Sequence, residues 1–263
     1  MPDPLADIRY ELALANRILA HEGVLDAFGH VSVRHPKDPH RYLLSRSRSP
    51  ELVEPGDISE YNLDSEPVRP LKLPPYSERV IHGEIFKARP DVMAVVHHHA
   101  AAFMPFVVAG VDYVPVFHLG ATGGVKPPFW DQRDEFGDTN LLVVKPQEGA
   151  SLARALGRHW MVLMRRHGVT VAGTSIRDVV FRSYFSARNA EFQTAAAAFG
   201  TVGPLSAGEA AQAALIGTKT TGQGRAWELW TARLAKAGGT PPSGGKSARP
   251  AAKSKRGKTR KKR

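Results

Sequence analysis

The sequence predicts an α/β fold of three layers, in which helices flank a central mixed or antiparallel sheet. The 263 residues suffice for one sizeable domain. Apolar residues recur at helical spacing in several segments, and short strand-like runs lie between those segments. Because the strands do not alternate strictly with the helices, a mixed or antiparallel sheet is favoured over a parallel one. We therefore expect one folded domain over residues 1–235.

The N-terminal half predicts three helices and four strands. Asp3 is a suitable cap and Pro4 a suitable first residue for the opening helix, which we expect to end at Gly23. A second helix is expected to begin after Ser77 as its cap and to end before Pro90. The remaining elements are strands at 28–34, 42–45, 61–63 and 92–96, and an apolar helix at 100–109.

The C-terminal half predicts further strands and a helical end. Two short apolar runs, "LLVV" and "WMVLM", are typical of buried strands. Helices are predicted around them and after them by amphipathic spacing. The expected strands are 141–144 and 160–164, and the expected helices are 150–157, 175–199 and one or two within 204–235.

The positive charge of the chain is concentrated in its last 28 residues. The formal net charge is +11, yet residues 1–235 contain 25 basic and 25 acidic side chains. Residues 236–263 contain 11 Lys and Arg, no acid and no large apolar side chain, so we expect a disordered tail. Such a tail suits weak contact with nucleic acid or another polyanion, or a solubilising role.

Composition also bears on the compartment. The chain has no cysteine, which excludes disulfides and thiolate ligands. No segment has the roughly 20 consecutive apolar residues of a membrane span, and the N-terminus lacks the pattern of a secretory signal. We expect a cytoplasmic protein that acts on a small molecule.

Three histidines mark the strongest candidate site. His97 and His99 lie two apart at the end of an apolar strand, so their side chains point to the same side. His167 follows another apolar strand, in "WMVLMRRHG". An H-x-H pair alone leaves an incidental surface cluster open, whereas a third histidine favours a divalent metal. Imidazole ligands suit zinc, manganese, iron and nickel alike.

Three segments extend this pattern: "FGHVSVR", "SERVIHGEIFKARPDVMAVVHHH" and "VLMRRHGVTVAG". In this order they resemble the class II aldolase/adducin family, and the resemblance runs from about residue 5 to 215. It implies a class II aldolase-like fold with one divalent metal ion per subunit, Zn2+ or Mn2+. It also implies that His97, His99 and His167 hold the metal, and that Glu78 is the acid/base or a fourth ligand. Members of the family are usually homotetramers with sites at subunit boundaries.

The other histidines have different expected roles. His98 should be a bystander, or a group that supports the ligands without binding the metal, because its side chain alternates away from its neighbours. His82 is interpreted as a packed helix residue rather than a ligand, and His118, before a glycine pair, as a candidate contact to substrate. The remaining ones are expected to face solvent: His21, His35, His40 and His159.

The residues expected to hold the substrate depart from the sugar-phosphate pattern of the family. His30 stands where an Asn would help to bind phosphate, and Ser77 keeps only the second serine of an S-S-E element, after Tyr76. In the loop "SRSRS", a cationic pair replaces small residues, and an arginine fork matches a carboxylate. The expected substrate contacts are His30, Ser45, Arg46, Arg48, Ser77, His118 and Trp130.

These departures indicate the reaction. "FGHVS", "SRSRSPELV" and "DEFGDTN" look like a subgroup that includes decarboxylases of hydroxylated aromatic acids, such as dihydroxyphthalate and hydroxymethylpyridine dicarboxylate. We therefore predict a metal-dependent carbon–carbon lyase that decarboxylates a hydroxylated aromatic or heteroaromatic carboxylate. The alternatives are an aldolase or epimerase acting on a sugar phosphate or small hydroxy acid, and a metal-free, adducin-like scaffold.

Overall fold

A single seven-stranded sheet forms the centre of the protein. The structure, a computed structural model, describes residues 3–217 and 219–242. The strands are β1 (His30–Arg34), β2 (Arg41–Ser45), β3 (Ile58–Asn62), β4 (Ala94–His98), β5 (Phe129–Trp130), β6 (Met161–Met164) and β7 (Gly168–Gly173). Their order across the sheet is β3-β2-β1-β4-β7-β6-β5. All neighbours are antiparallel except β5 and β6, which are parallel.

Helices cover both faces of this sheet. They are α1 (Ala6–His21), α2 (Val80–Ala88), α3 (Met104–Ala109), α4 (Gln132–Phe136), α5 (Pro146–Leu156), α6 (Ile176–Ala197), α7 (Ala207–Gly217) and α8 (Thr220–Lys236). The predicted three-layer α/β fold with a mixed sheet is thereby confirmed. In the described part of the chain, no helix is both long and apolar enough to cross a membrane.

Two hydrophobic clusters occupy the two faces of the sheet. One contains Leu12 of α1, Val179 of α6 and Trp227 of α8. The other contains Ile81 of α2 and Leu152 of α5. Alternate residues of β4 divide between them, with Val96 in the first cluster and Val95 in the second. Since His97 has the parity of Val95, it lies on the face that α2 and α5 cover.

The prediction of a strand at 141–144 is wrong. Leu141 has a left-handed backbone, with φ +66°, and the amides of Val143 and Val144 donate to side-chain carboxylates instead of to a strand. A four-residue apolar run does not reveal this, because one acceptor, Glu78, is distant in sequence and the other, Glu148, lies in the helix that follows. The edge strand β5 lies earlier in the chain, at Phe129–Trp130, where no strand is predicted.

Ser77 does not cap the second helix. A 3-10 turn, Ser77–Arg79, precedes α2, and the side chain of Ser77 is exposed and makes no capping hydrogen bond. At the other end of the domain, α8 ends at Lys236. Residues 243–263 of the basic tail lie outside the described residues, so the disorder of the tail stays a prediction.

Substitutions at two glycines, Gly23 and Gly29, would test how closely the loop before β1 approaches β4. Gly29 has φ +88°, and a Cβ there would lie 2.8 Å from the carbonyl oxygen of His97 and 2.7 Å from Cδ2 of Leu25. Gly23 has φ +75° with no atom within 4 Å of such a Cβ. Alanine at either position should cost about 1–2 kcal/mol for the left-handed backbone. Gly29→Ala should cost about 1–3 kcal/mol more through crowding. Equal losses in denaturant unfolding would contradict the close approach.

Candidate metal centre

Four side chains converge at one end of β4. One ligand atom from each of them lies within 4.8 Å of the others, and the four residues are Glu78, His97, His99 and His167. Nε2 of His97 is 3.1 Å from Nε2 of His99 and 3.9 Å from Oε2 of Glu78. Nε2 of His167 is 3.6 Å from Oε1 of Glu78. The structure thus brings together the four groups singled out in the sequence.

Strand alternation and strand pairing produce this convergence. His97 lies within β4 and His99 directly follows it, so both point to the α2 face, whereas His98 packs against Phe103 on the opposite face. His167 occupies the turn between β6 and β7, and β7 pairs with β4. Glu78 comes from the kinked turn before α2, where φ is −87° and ψ is 17°.

A hydrogen-bonded chain behind His97 orients its ring. Nδ1 of His97 is 3.2 Å from Oγ1 of Thr170, and the Thr170 hydroxyl donates to Sδ of Met164. When the threonine proton points to sulfur, its oxygen accepts from Nδ1–H of His97, and this is the arrangement that ligation through Nε2 requires. The lone pair of the neutral ring is then on Nε2, the nitrogen that faces the cluster. Such a contact behind a ligand fixes both tautomer and orientation.

Burial determines the charge of these groups. Burial, with a smaller contribution from neighbouring imidazoles, lowers the pKa of His97 well below the ordinary value and that of His167 to about 4. Burial also lowers the pKa of His99. The same burial raises the pKa of Glu78 to about 7, against the opposing effect of the hydrogen bond from the Val143 amide. At neutral pH the imidazoles are therefore uncharged, as metal ligation requires.

These residues fit a divalent cation. Zinc–nitrogen bonds of 2.0–2.1 Å place tetrahedral ligand atoms about 3.3–3.4 Å apart. The spacings of 3.1, 3.6 and 3.9 Å approach this value before any cation draws the ligands together. A cation would also offset the free-energy cost of burying a charged carboxylate. The donor set of imidazole and carboxylate suits both Zn2+ and Mn2+.

His30 borders the cluster. It pairs with His97 across β1 and β4, and the two ring centroids are 5.4 Å apart. The ring of Tyr76 lies on the other side of His30, with centroids 4.5 Å apart. His82 of α2 reaches the same ring, as its Nε2 is 2.6 Å from Nδ1 of His30. His82 is fully buried, in agreement with its interpretation as a packed helix residue.

The two arginines of the "SRSRS" loop share one acidic partner. Nε of Arg46 is 2.7 Å from Oδ1 of Asp57, and Nη1 of Arg48 is 2.6 Å from Oδ2 of the same carboxylate. The Tyr76 hydroxyl donates to the carbonyl oxygen of Arg48. Nη2 of Arg48 also lies 3.6 Å from Oε1 of Glu54, so two carboxylates face the two guanidiniums. Contact of either arginine with a substrate stays a prediction.

The other predicted substrate contacts lie at different depths. Ser45 is buried at the end of β2, and Ser77 is exposed in the turn next to Glu78. His118 is exposed in a 3-10 helix, His118–Gly123, where it contacts Phe117. Trp130 is buried, and its indole N–H donates to Oγ of Ser151 on α5, 2.9 Å away. Their roles with substrate stay predictions.

Comparison with known proteins identifies the family. The family model described as Class II Aldolase and Adducin N-terminal domain matches residues 10–194. The chain belongs to the class II aldolase/adducin family. A solved member of the aldolase II superfamily from Pseudomonas syringae shares the fold, with a TM-score of 0.75 and 20% identity. That likeness covers 90% of this chain and 96% of the other.

Two relatives within the family carry decarboxylase names. The chain is 35% identical to the decarboxylase tropJ of Talaromyces stipitatus over 236 residues, which cover 81% of this chain and 88% of the relative. It is 33% identical to the 3,4-dihydroxyphthalate decarboxylase of Arthrobacter keyseri over 195 residues, covering 68% and 74%. These likenesses support the decarboxylase subgroup within the family.

Several residues that support this family site were not anticipated from the sequence. They are Val143, which donates to Glu78, Thr170 behind His97, Asp57 between the arginines, and Ser32 and His82 beside His30. A local signal existed only for Ser32, which lies two residues from His30 and so on the same strand face. The others depend on pairing between distant segments.

Proposed function

We propose that this protein is a divalent-metal-dependent decarboxylase of a hydroxylated aromatic or heteroaromatic carboxylate. One observation carries the proposal: three neutral imidazoles and one buried carboxylate offer ligand atoms within 4.8 Å of one another. The decarboxylase names of two relatives support this reaction over other reactions of the family. His97, His99 and His167 would hold the cation, with Glu78 beside it.

A bound divalent cation would act as a Lewis acid, taking up negative charge that develops on the substrate's hydroxyl oxygen as the carbon–carbon bond breaks. The protein residues bind and orient the substrate ring around this point. His30 borders the centre, and Tyr76 packs against it with the two rings tilted by 48°, so two aromatic rings lie where an aromatic substrate would bind.

Glu78 has the features of the proton donor. In decarboxylation the bond from ring carbon to carboxylate breaks, its electron pair stays on the ring, carbon dioxide leaves and a proton must be added. Burial raises the pKa of Glu78 to about 7, whereas a bound cation would lower it, so this carboxyl would exchange a proton more readily near neutral pH than an exposed one. The Val143 amide fixes Oε1, 3.0 Å away, which leaves Oε2 to deliver that proton.

Three further parts of the proposal concern the surroundings of the centre. We propose that Arg46 or Arg48 holds a second substrate carboxylate with N–H groups that Asp57 does not use. We also propose a homotetramer whose subunits complete the site, in a cytoplasmic protein. The basic tail would make weak polyanion contacts at most, separate from the reaction.

The deciding experiment is a substrate panel. Protein loaded with Zn2+ or Mn2+ is incubated with ortho-hydroxy aromatic acids, including dihydroxyphthalate, and with sugar phosphates and hydroxy-acid aldols. Carbon dioxide and aldehyde release are measured separately. Carbon dioxide from the aromatic acids is expected. Aldehyde from the sugar phosphates, with the aromatic acids untouched, would replace the proposal by an aldolase.

A further inference from the structure

A chain of three buried polar side chains leads from the interior to the edge of the metal centre. Oγ of Ser32 on β1 is 2.5 Å from Nδ1 of His82 on α2. Nε2 of the same imidazole is 2.6 Å from Nδ1 of His30. None of the three is more than 2% exposed. The chain is therefore isolated from bulk water, and its protons must be arranged among its own atoms.

The direction of these hydrogen bonds follows from the hydroxyl of Ser32. Across residues 3–217 and 219–242, His82 Nδ1 is the one hydrogen-bond partner that the Ser32 hydroxyl has. If the hydroxyl accepted from His82, its own proton would be buried without an acceptor, which is costly. The hydroxyl therefore donates to Nδ1 of His82. With this direction, the buried hydroxyl proton of Ser32 has an acceptor.

The directions of the remaining hydrogen bonds, between His82 and His30, follow from this one. Burial lowers the pKa of His82 to about 3, so the ring is neutral and carries one N–H. Because Nδ1 accepts from Ser32, that proton is on Nε2 and is donated to Nδ1 of His30. Because Nδ1 of His30 accepts this hydrogen bond, the proton of its own ring is on Nε2. In the described part of the chain, the hydrogen bonds of His30 to protein atoms use Nδ1 alone.

The position of His30 gives this proton a use. His30 lies opposite His97 on adjacent strands, and the two rings are on the same face of the sheet. The ring of Tyr76 packs against His30 and limits its rotation. We propose that Ser32 and His82 are positioning residues that fix His30 as an Nε2–H donor to an oxygen of the carboxylate or hydroxyl of the substrate. This inference rests on the proposed function for the substrate class alone.

Substitutions at position 82 separate this role from simple packing. A glutamine amide offers an acceptor oxygen to Ser32 and an N–H donor to His30, so His82→Gln keeps the direction of the chain. His82→Leu fills the space and removes both contacts. Affinity of zinc-loaded protein for salicylate, measured by calorimetry, should fall about tenfold in His82→Leu, as for loss of one hydrogen bond. His82→Gln should stay within about twofold of the unaltered protein.

Ser32→Ala removes the hydroxyl that sets the direction, and Ser183→Ala is its matched control. Ser183 is also fully buried and donates one hydrogen bond, to the carbonyl oxygen of Val179 within α6. Both variants should keep one zinc per chain. Only Ser32→Ala should weaken salicylate binding. If salicylate binding weakened equally in both serine variants, or equally in both His82 variants, the three side chains would have only a structural role. That result would overturn the proposal.

A direct measurement of the tautomer does not require substrate. In protein labelled with 15N-histidine, protonated and bare ring nitrogens resonate far apart, and the His30 signals are assigned by their loss in His30→Gln. We expect His30 protonated at Nε2 and bare at Nδ1, with a mixture in Ser32→Ala. A proton on Nδ1 in the unaltered protein would overturn the inference. The expected tautomer without salicylate binding would instead contradict the substrate class and hence the proposed function.

Discussion

Replacement of His97 by alanine should abolish metal binding and reduce decarboxylation by about 10³-fold or more, since the Lewis acid supplies several kcal/mol of barrier lowering. In the proposed site His97 would be a central ligand, because its Nε2 lies close to both His99 and Glu78. Its ring is fully buried and contacts Thr170, which holds it in the cluster. Elemental analysis of the purified variant, together with carbon dioxide release, measures both effects.

His98→Ala is the matched control for that variant. His98 lies on the same strand and is equally buried, but it packs on the opposite face against Phe103. Both substitutions leave a similar cavity and a similar loss of stability. The control should keep about one metal ion per chain and most of the activity. Metal retained in His97→Ala, or lost equally from both variants, would show that these imidazoles do not form the site.

Replacement of Glu78 by glutamine should reduce activity by about 10²–10⁴-fold, the usual contribution of a general acid, while metal stays bound. An amide has the shape of the carboxyl group and still accepts the hydrogen bond from Val143. It has no proton of suitable acidity to give to the ring carbon. The three imidazoles remain as ligands. Metal content and carbon dioxide release, measured on one preparation, separate the two roles of Glu78.

Glu148→Gln is the control for the loss of a buried carboxylate. Glu148 is 2% exposed and accepts hydrogen bonds from the backbone amides of Val144 and Lys145. These two residues directly follow Val143, whose amide donates to Glu78. It is not one of the four clustered groups. Its substitution should change stability and leave turnover within about twofold. Full activity in Glu78→Gln would mean that another group donates the proton. Loss of metal from this variant would mean that Glu78 acts chiefly as a ligand.

Local rules of strand geometry predicted most of what positions the metal centre. Alternation along "VVHHH" separates His97 and His99 from His98, and the structure shows this separation. The rule holds because both faces of β4 are buried, so a shift by one residue would place three imidazoles in the wrong layer.

The segment before α5 shows where local rules fail. "LLVV" has the composition of a buried strand, yet Leu141 has a left-handed backbone and Val143 donates to Glu78. Its amides find carboxylates that lie far away in sequence or in the next helix. Similarly, the contacts of Arg46 and Arg48 with Asp57 were not expected from the sequence, whereas their predicted contact with substrate stays a prediction. Ion pairs between loop residues produce no periodic sequence pattern, so local rules do not predict them.

By itself, the sequence determined the fold class, the family and the four groups that converge on the metal centre. These follow from periodic burial and from short motifs, which are properties of neighbouring residues. Only the tertiary structure decided the protonation of those groups and the partners that orient them, such as Thr170 for His97 and His82 for His30. The physical reason is that burial and hydrogen bonding depend on segments that folding alone brings together, and these set pKa and tautomer.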